Sequence, residues 1–443
     1  MSFSEFNEVY VWAWPFIILL SSIGLVITIV FRGIQVTQFF ASLKYVIFPP
    51  KASCDTLCPE KQTISPLQAF LGMISAGLGN GSLAGMAVAM HMGGPGAGFW
   101  LFLFGLLAMP MRFLEVLAAS VFTVETPYGK RGGPMIYLSK VFGGSVLPYF
   151  YAIACLGYCF AAASAMQSNS MAIGITTIVP GISSFTVALM LLLFLAYAFF
   201  GGAQRIIKLS EALAPIKVGL FMLAAGAVLV SFAPNFFPAL KLIIVSAFSG
   251  SAVLGGAVGV GIQKAVSVGA SRLFSATEAG GGTAAIMFGA TGGENARSNS
   301  IMSMALVFTA QLISFCMFLM FVMSGTWNSG KTSTPLVMDT YATVFGGFGS
   351  VVAVVLALMF GLGVLVGYAF IGRECWLFLT RDRFGDWGFM VLYGLMAAYG
   401  AMGDPSSVFA LVDITQAALI LCNLYGLLML LPQLKRAWNG LQS

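Results

Sequence analysis

An all-α, polytopic membrane protein with eleven transmembrane helices is what this sequence predicts, on three observations. The chain of 443 residues is 59% hydrophobic and 8% charged, more apolar surface than a water-soluble domain could hide behind so few charges. About eleven apolar stretches approach the roughly 20 residues that a helix needs to cross a hydrocarbon core of about 30 Å. Two of those stretches are interrupted in the same way and enter from opposite sides when the crossings are counted along the chain.

The elements follow in order. The stretch near 10–31 is expected to stay as a helix: Glu5 and Glu8 stand where a cleavable signal would carry basic residues, and the apolar run is full length. Stretches at 66–91, 96–122, 148–170, 184–201 and 213–233 form a first block of five, and those at 239–263, 298–325, 347–372, 387–403 and 405–432 a second. The short alternating strands of an outer-membrane barrel are absent. The chain therefore divides into residues 1–63 with the extra helix, repeats over 64–234 and 235–434, and a tail at 435–443.

Basic residues set the orientation, because Lys and Arg concentrate in cytoplasmic loops. With the N-terminus outside and the C-terminus inside, 17 of the 21 basic residues, Lys264 and Arg272 among them, fall in cytoplasmic loops and only Lys331 outside; Arg112, Lys217 and Lys241 lie within or at the edges of spans. The net charge of +6 is thereby a consequence of topology, and no nucleic-acid partner is expected. Localisation to the inner (cytoplasmic) membrane as a multi-pass monomer is expected, with lipid and a small solute as partners.

Enzymatic readings find no support. The glycine run lacks the Lys-Ser/Thr of a phosphate loop and the strand of a dinucleotide fingerprint. His91 is the sole histidine, and Cys54 and Cys58 have no second pair to complete a metal site. No cofactor is expected.

The centre of the second stretch reads GLGNGSLAG, residues 77–85. Gly81 and Gly85 fit close helix packing, but packing does not ask for Asn80 and Ser82 in the same turn, nor for so many helix-weakening residues. Transporters built from inverted repeats place such interruptions at the membrane midplane, around the substrate. The partner stretch, FFPALKLIIVSAFSGSAVLGGAVGVGI, has the same layout: Pro238 and Ser246 precede Ser249, Gly250, Ser251, Gly255 and Gly256, as Pro66 and Ser75 precede Gly77 and Gly79.

The blocks ISPLQAF (64–70), GGPGAGFW (93–100), GGPMIYL (132–138), MQSNSM (166–171), GGAQRIIKLSEALAP (201–215), SAFSGSAVLGGAVG (246–259), LFSATEAGGG (273–282) and GYAFIGREC (367–375) resemble, in order and over nearly the whole chain, the alanine/glycine:cation symporters. The resemblance implies a LeuT-type fold, here a 5+5 inverted repeat after one extra helix. It also implies secondary transport of small neutral amino acids of the alanine/glycine class, coupled to Na+; the departures at Asn80, Ser82 and Tyr368 make the pocket less bulky and more polar, which would admit serine as well. A substrate is implied at Gly79, Asn80, Gly81 and Ser82, at Ser249, Gly250 and Ser251 of the second break, and at Gln167 and Tyr368. A half-helix N-terminus suits a carboxylate and freed carbonyls suit an ammonium. For Gln167 the alternative is an interhelical hydrogen bond.

The chain departs from the family at the implied ion site, near Ser75 and Gly77. The Ser-Thr pair that the family carries four residues before a Gly-Trp falls here on Gly363 and Val364, and the tryptophan on Tyr368. Lys217 stands where the family is usually apolar, and an ionisable group at that depth is a functional hypothesis by default. By resemblance to sodium-independent carriers of the same fold, Lys217 stands in for the sodium, leaving H+ coupling or exchange; the alternative is that it snorkels to the interface. A channel or passive facilitator is the reading from another class. Arg112 and Glu115, spaced i,i+3, are expected to pair, and Asp413 to be a buried polar contact or a vestibule residue, with ion coupling as the alternative. The register around Thr277 and Glu278 is open, because LFSATEAGGG carries one residue more than the family's loop.

Overall fold

The computed structural model describes residues 12, 14–49, 64–126, 129–249, 261–293, 295–381, 383, 385–403 and 405–442. Helix α1 (Trp14–Val30) is followed by α2 (Ile34–Thr37) and α3 (Phe39–Ile47). Next comes α4 (Pro66–Gly77), which opens on a capping box: Ser65 Oγ accepts from the Gln68 N–H at 3.1 Å, Gln68 Oε1 from the Ser65 N–H at 3.0 Å, and Pro66 takes the first turn. A tight turn at Asn80–Ser82 separates it from α5 (Ala84–Gly93), and the two halves bend by 59°.

Helix α6 (Gly96–Val121) leads to the hairpin β1 (Thr123–Thr126) and β2 (Gly129–Gly132), an antiparallel pair that the all-α expectation did not include. After α7 (Pro134–Tyr137), one long helix is built from α8 (Leu147–Tyr158), a widened π turn at Cys159–Ala165 and α9 (Met166–Ile178). Helices α10 (Ser184–Phe199), α11 (Gly202–Ser231), α12 (Phe236–Phe248), α13 (Ile262–Thr277), α14 (Thr283–Gly289) and α15 (Ala296–Ser324) follow. The chain ends with α16 (Ser333–Phe345), α17 (Gly349–Thr380), α18 (Gly385–Met402) and α19 (Pro405–Gly440).

Among the described residues, six helical stretches are long and apolar enough to cross a membrane, and the bent pair α4 and α5 makes seven; α1, α10 and Ala233–Phe248 are shorter apolar helices. The protein is thus a multi-pass, helical membrane protein. Its core forms where α6 runs antiparallel to α15. A Cβ at Gly98 would touch the Phe318 ring at 2.9 Å, and the Ser303 hydroxyl donates to the Arg112 carbonyl at 3.4 Å. Small residues let the backbones approach in this way.

The expected span at 239–263 is corrected. The Asn235 amide donates to the Met323 carbonyl at the end of α15, while Trp100 Nε1, at the start of α6, donates to the Ala247 carbonyl at 3.1 Å. Both ends of α12 therefore sit at one end of the bundle, and its 13 residues span roughly 20 Å, short of a crossing. Hydropathy cannot distinguish a helix lying across a bundle end from one passing through.

The passage is made by α13 and α14. Val268 meets Gly93 at the end of α5, Thr277 lies at mid-height of α6 against Arg112, and Ala290, just past α14, accepts from the Ile64 N–H beside the start of α4 at 3.2 Å. Helices α13 and α14 run antiparallel to α4 and α5, with their interruption at Glu278–Gly282. Lys264 and Arg272, assigned to a cytoplasmic loop from sequence, lie within α13, and Arg272 reaches Asp413 of α19 at 3.8 Å. Asp413 is thus a buried polar contact, one of the two places expected for it.

Candidate functional site

The first interruption frees backbone carbonyls from helical pairing, and a buried cation takes them up. Lys217, on α11, is fully buried; its ammonium donates to the Ser75 carbonyl at 2.8 Å and the Leu78 carbonyl at 2.6 Å, and lies 5.4 Å from the Phe360 ring centre. Snorkelling is excluded, because the side chain points into the bundle. A Cβ at Gly363 would lie 2.8 Å from Lys217 Nζ and 3.1 Å from Ser75 Oγ, and the Ser75 hydroxyl donates to the Gly363 carbonyl at 3.0 Å. Ser75, Lys217 and Gly363 thus form one cluster of three elements, with the ammonium at its centre.

A few ångströms along the break, Gln167 holds the next turn. Its Oε1 accepts from the Asn80 N–H at 2.9 Å and its Nε2 donates to the Ala162 carbonyl at 3.0 Å. That carbonyl belongs to the π turn, the kind of local widening that recurs at functional sites. Gln167 therefore makes an interhelical hydrogen bond and borders the site at once. A Cβ at position 79 would lie 2.8 Å from Val364 and 2.9 Å from Gln167 Nε2, so any larger residue would displace the side chains that border the break. The Asn80 side chain donates to the Ala357 carbonyl at 3.1 Å, and Asn80 Oδ1 and Ser82 Oγ are buried with no hydrogen-bond partner.

Beside them lies a small cavity of about 20 Å³, room for about one water; Ser75, Asn80, Lys217 and Gly363 are not in its lining. Gly77, Gly79, Gly81, Ser82, Gln167, Val364 and Tyr368 line it, as do Ser275, Ala276 and Glu278 at the end of α13, with Tyr158 and Met166 from the long α8–α9 helix. The Tyr158 and Tyr368 rings meet edge to face at 5.7 Å between centres. Ser249 does not reach this cavity: it caps α12, whose last turn packs on Gly96 and Trp100. Gly250 and Ser251 lie outside the described residues. The second interruption that faces the first is Glu278–Gly282.

That loop is held from three sides. Arg112 donates to the Thr277 carbonyl and pairs with Glu115, as its i,i+3 spacing predicts, and Glu115 Oε2 accepts from the Gly282 N–H at 3.0 Å. Tyr151 donates to the Gly281 carbonyl and Asn423 Nδ2 to the Gly280 carbonyl, both at 2.8 Å. Glu278, Gly280 and Gly282 all adopt positive φ, which glycine tolerates and glutamate pays for in strain. Reading the sequence missed Glu278, although EAGGG carries the same density of glycine as the first break. The longer run of small residues at 249–256 drew the assignment instead. His91 is exposed at the end of α5, away from the cavity.

A family model described as the sodium:alanine symporter family matches residues 2–442. The sodium/alanine symporter AgcS of Methanococcus maripaludis is 26% identical over 434 residues, 95% of this chain and 92% of that one. The probable sodium/glutamine symporter GlnT of Bacillus subtilis is also 26% identical, over 95% of this chain and 86% of that one. The crystal structure of the Eremococcus coleocola manganese transporter superposes with a TM-score of 0.54 at 13% identity, covering 84% of this chain and 78% of that one. At that identity the likeness shows the fold alone, which is LeuT-like.

Proposed function

The chain belongs to the sodium:alanine symporter family, a family of membrane transporters and not of enzymes, and from that premise we propose that it carries small neutral amino acids with the Lys217 ammonium fixed in place of a coupling sodium. The observation that carries the coupling half of this reading is the pair of hydrogen bonds from Lys217 to the Ser75 and Leu78 carbonyls. Sodium takes oxygen ligands, and the positions where the family supplies two hydroxyls are Gly363 and Val364, which have none to offer. A second unit charge about 4 Å from the ammonium is opposed by about 4 kcal/mol even at an effective dielectric of 20.

The amino-acid half rests on the residues around the cavity: backbone of one helix break, the carboxylate-bearing loop of the other, Gln167 and Tyr368. A site as narrow as about 20 Å³ supports an alternating-access carrier better than an open channel. The reading takes eleven crossings as a 5+5 inverted repeat after one extra helix, over 64–234 and 235–434, in a monomer with its N-terminus outside. Opposed courses of α4–α5 and α13–α14 support the inversion.

Uptake of labelled alanine by the purified protein in liposomes, with Na+ replaced by K+ on both sides, tests the coupling half. Uptake and counterflow are expected to persist without Na+ and to respond to a proton gradient or to internal amino acid. Strict Na+ dependence overturns the role of Lys217 and leaves amino-acid transport standing; absence of counterflow favours a channel.

A further inference from the structure

We propose that Glu278 receives the ammonium of the substrate, so that this site selects an unsubstituted α-amine; the proposal rests on amino-acid transport as read above. Glu278 is 5% exposed and lines the cavity between the two interruptions. Its Oε2 accepts from the Thr283 hydroxyl at 3.0 Å, and the Tyr368 hydroxyl lies beside the carboxylate. Among the described residues it makes no ion pair: Arg112 is engaged by Glu115 and the Thr277 carbonyl, and the Lys217 ammonium by Ser75 and Leu78. A carboxylate this deep is costly, and the cations of Arg112 and Lys217 act on it only from a distance, so a cation in contact with it is still wanting.

The same cavity wall carries the Ser82 hydroxyl, buried and without a protein partner among the described residues. A ligand bearing one cationic donor and one polar acceptor satisfies both groups, and a zwitterionic amino acid has that chemistry. Backbone placement favours it too. The left-handed conformation of Glu278 ends α13 at this residue, and its side chain lines the same cavity as Tyr368 and the glycines of the first break. Net charge is balanced by this arrangement: the fixed ammonium at Lys217 and the carboxylate at Glu278 leave a site that accepts a zwitterion without adding charge to the bundle.

The test compares binding of L-alanine and L-lactate, in which a hydroxyl replaces the ammonium, to the purified full-length protein. Wild type is expected to bind alanine and to discriminate against lactate. Glu278→Gln is expected to weaken alanine about 30-fold or more and leave anionic lactate no weaker than before, with Glu278→Asp recovering part of the loss. A merely structural role lowers the melting temperature and leaves the alanine-to-lactate ratio where it was. If Glu278→Gln yields no folded protein, Thr283→Val, which removes the hydroxyl orienting the carboxylate, carries the same readout with a smaller shift in that ratio. An unchanged ratio in the folded variant overturns the proposal while transport stands. Failure of wild type to bind any amino acid overturns both.

Discussion

At the first break, the carbonyls of Ser75 and Leu78 receive a single buried ammonium and the Asn80 amide leans on one glutamine. At the second, the Thr277, Gly280 and Gly281 carbonyls and the Gly282 amide are taken by four side chains from α6, α8 and α19. The first leaves Asn80 Oδ1 and Ser82 Oγ buried without partners; the second leaves no comparable gap among its described residues. Both interruptions have to settle unpaired backbone in a medium that offers no water. One does so with a net charge and spare polar atoms, the other with a neutral ion pair and neutral donors. On the proposed function the difference gives them separate duties: the second loop would be a fixed rim carrying Glu278, and the first the part that rearranges around a solute.

If the second loop is the braced one, removing its brace has the largest effect. Arg112→Met leaves the Glu115 carboxylate buried and alone, and a loss of about 3–5 kcal/mol is expected in thermal unfolding of the detergent-solubilised protein. The double variant Arg112→Met with Glu115→Gln is expected to recover much of that, since replacing both members of a buried pair is far milder than removing one. Equal losses in the single and double variants break the brace idea.

Lys217→Met probes the first break. It removes a buried charge as well as two hydrogen bonds, so the stability loss is expected to be smaller, about 1–3 kcal/mol, while alanine uptake falls at least tenfold. Partial recovery of uptake by added Na+ sharpens the comparison, because the vacated carbonyls can then accept the ion; wild-type uptake in the variant removes the ammonium from the mechanism. Smallest is Tyr151→Phe, which frees only the Gly281 carbonyl and is expected to cost about 1 kcal/mol or less, with alanine affinity unchanged. A large change in affinity there means that the second loop is not fixed but moves with the substrate.

Several parts of the site are legible in the amino-acid sequence. Gly79 and Ser82 stand out because polar and helix-weakening residues have no packing reason to cluster in a membrane span, and Lys217 because an ionisable group at that depth is expensive. Their proximity is a further step, implied by resemblance and visible only in three dimensions: Lys217 and Gly363, 146 positions apart by subtraction of their numbers, meet at the Ser75 carbonyl. The partner of the first break is not legible in the sequence. SGSAVLGG and EAGGG are alike in composition, and only the contacts of Ala247 with Trp100, and of Thr277 with Arg112, separate a helix lying at the bundle end from one that passes through it. The hairpin at 123–132 escaped notice because its strands are four residues each and carry no alternating pattern long enough to stand out.

By itself, the sequence determined the environment of this protein and most of its helices, because burying apolar side chains in lipid and pairing every backbone group internally are local requirements that composition and spacing report. It also determined that the chain has a weak point at GLGNGSLAG, since helix propensity is local too. Which second interruption would face that point, and whether Lys217 would turn inward or out to the interface, was decided by tertiary structure alone. Those choices depend on which oxygens come within about 3 Å of a charged group, a distance set by the packing of α4, α11 and α17 and not by any order of residues along one of them.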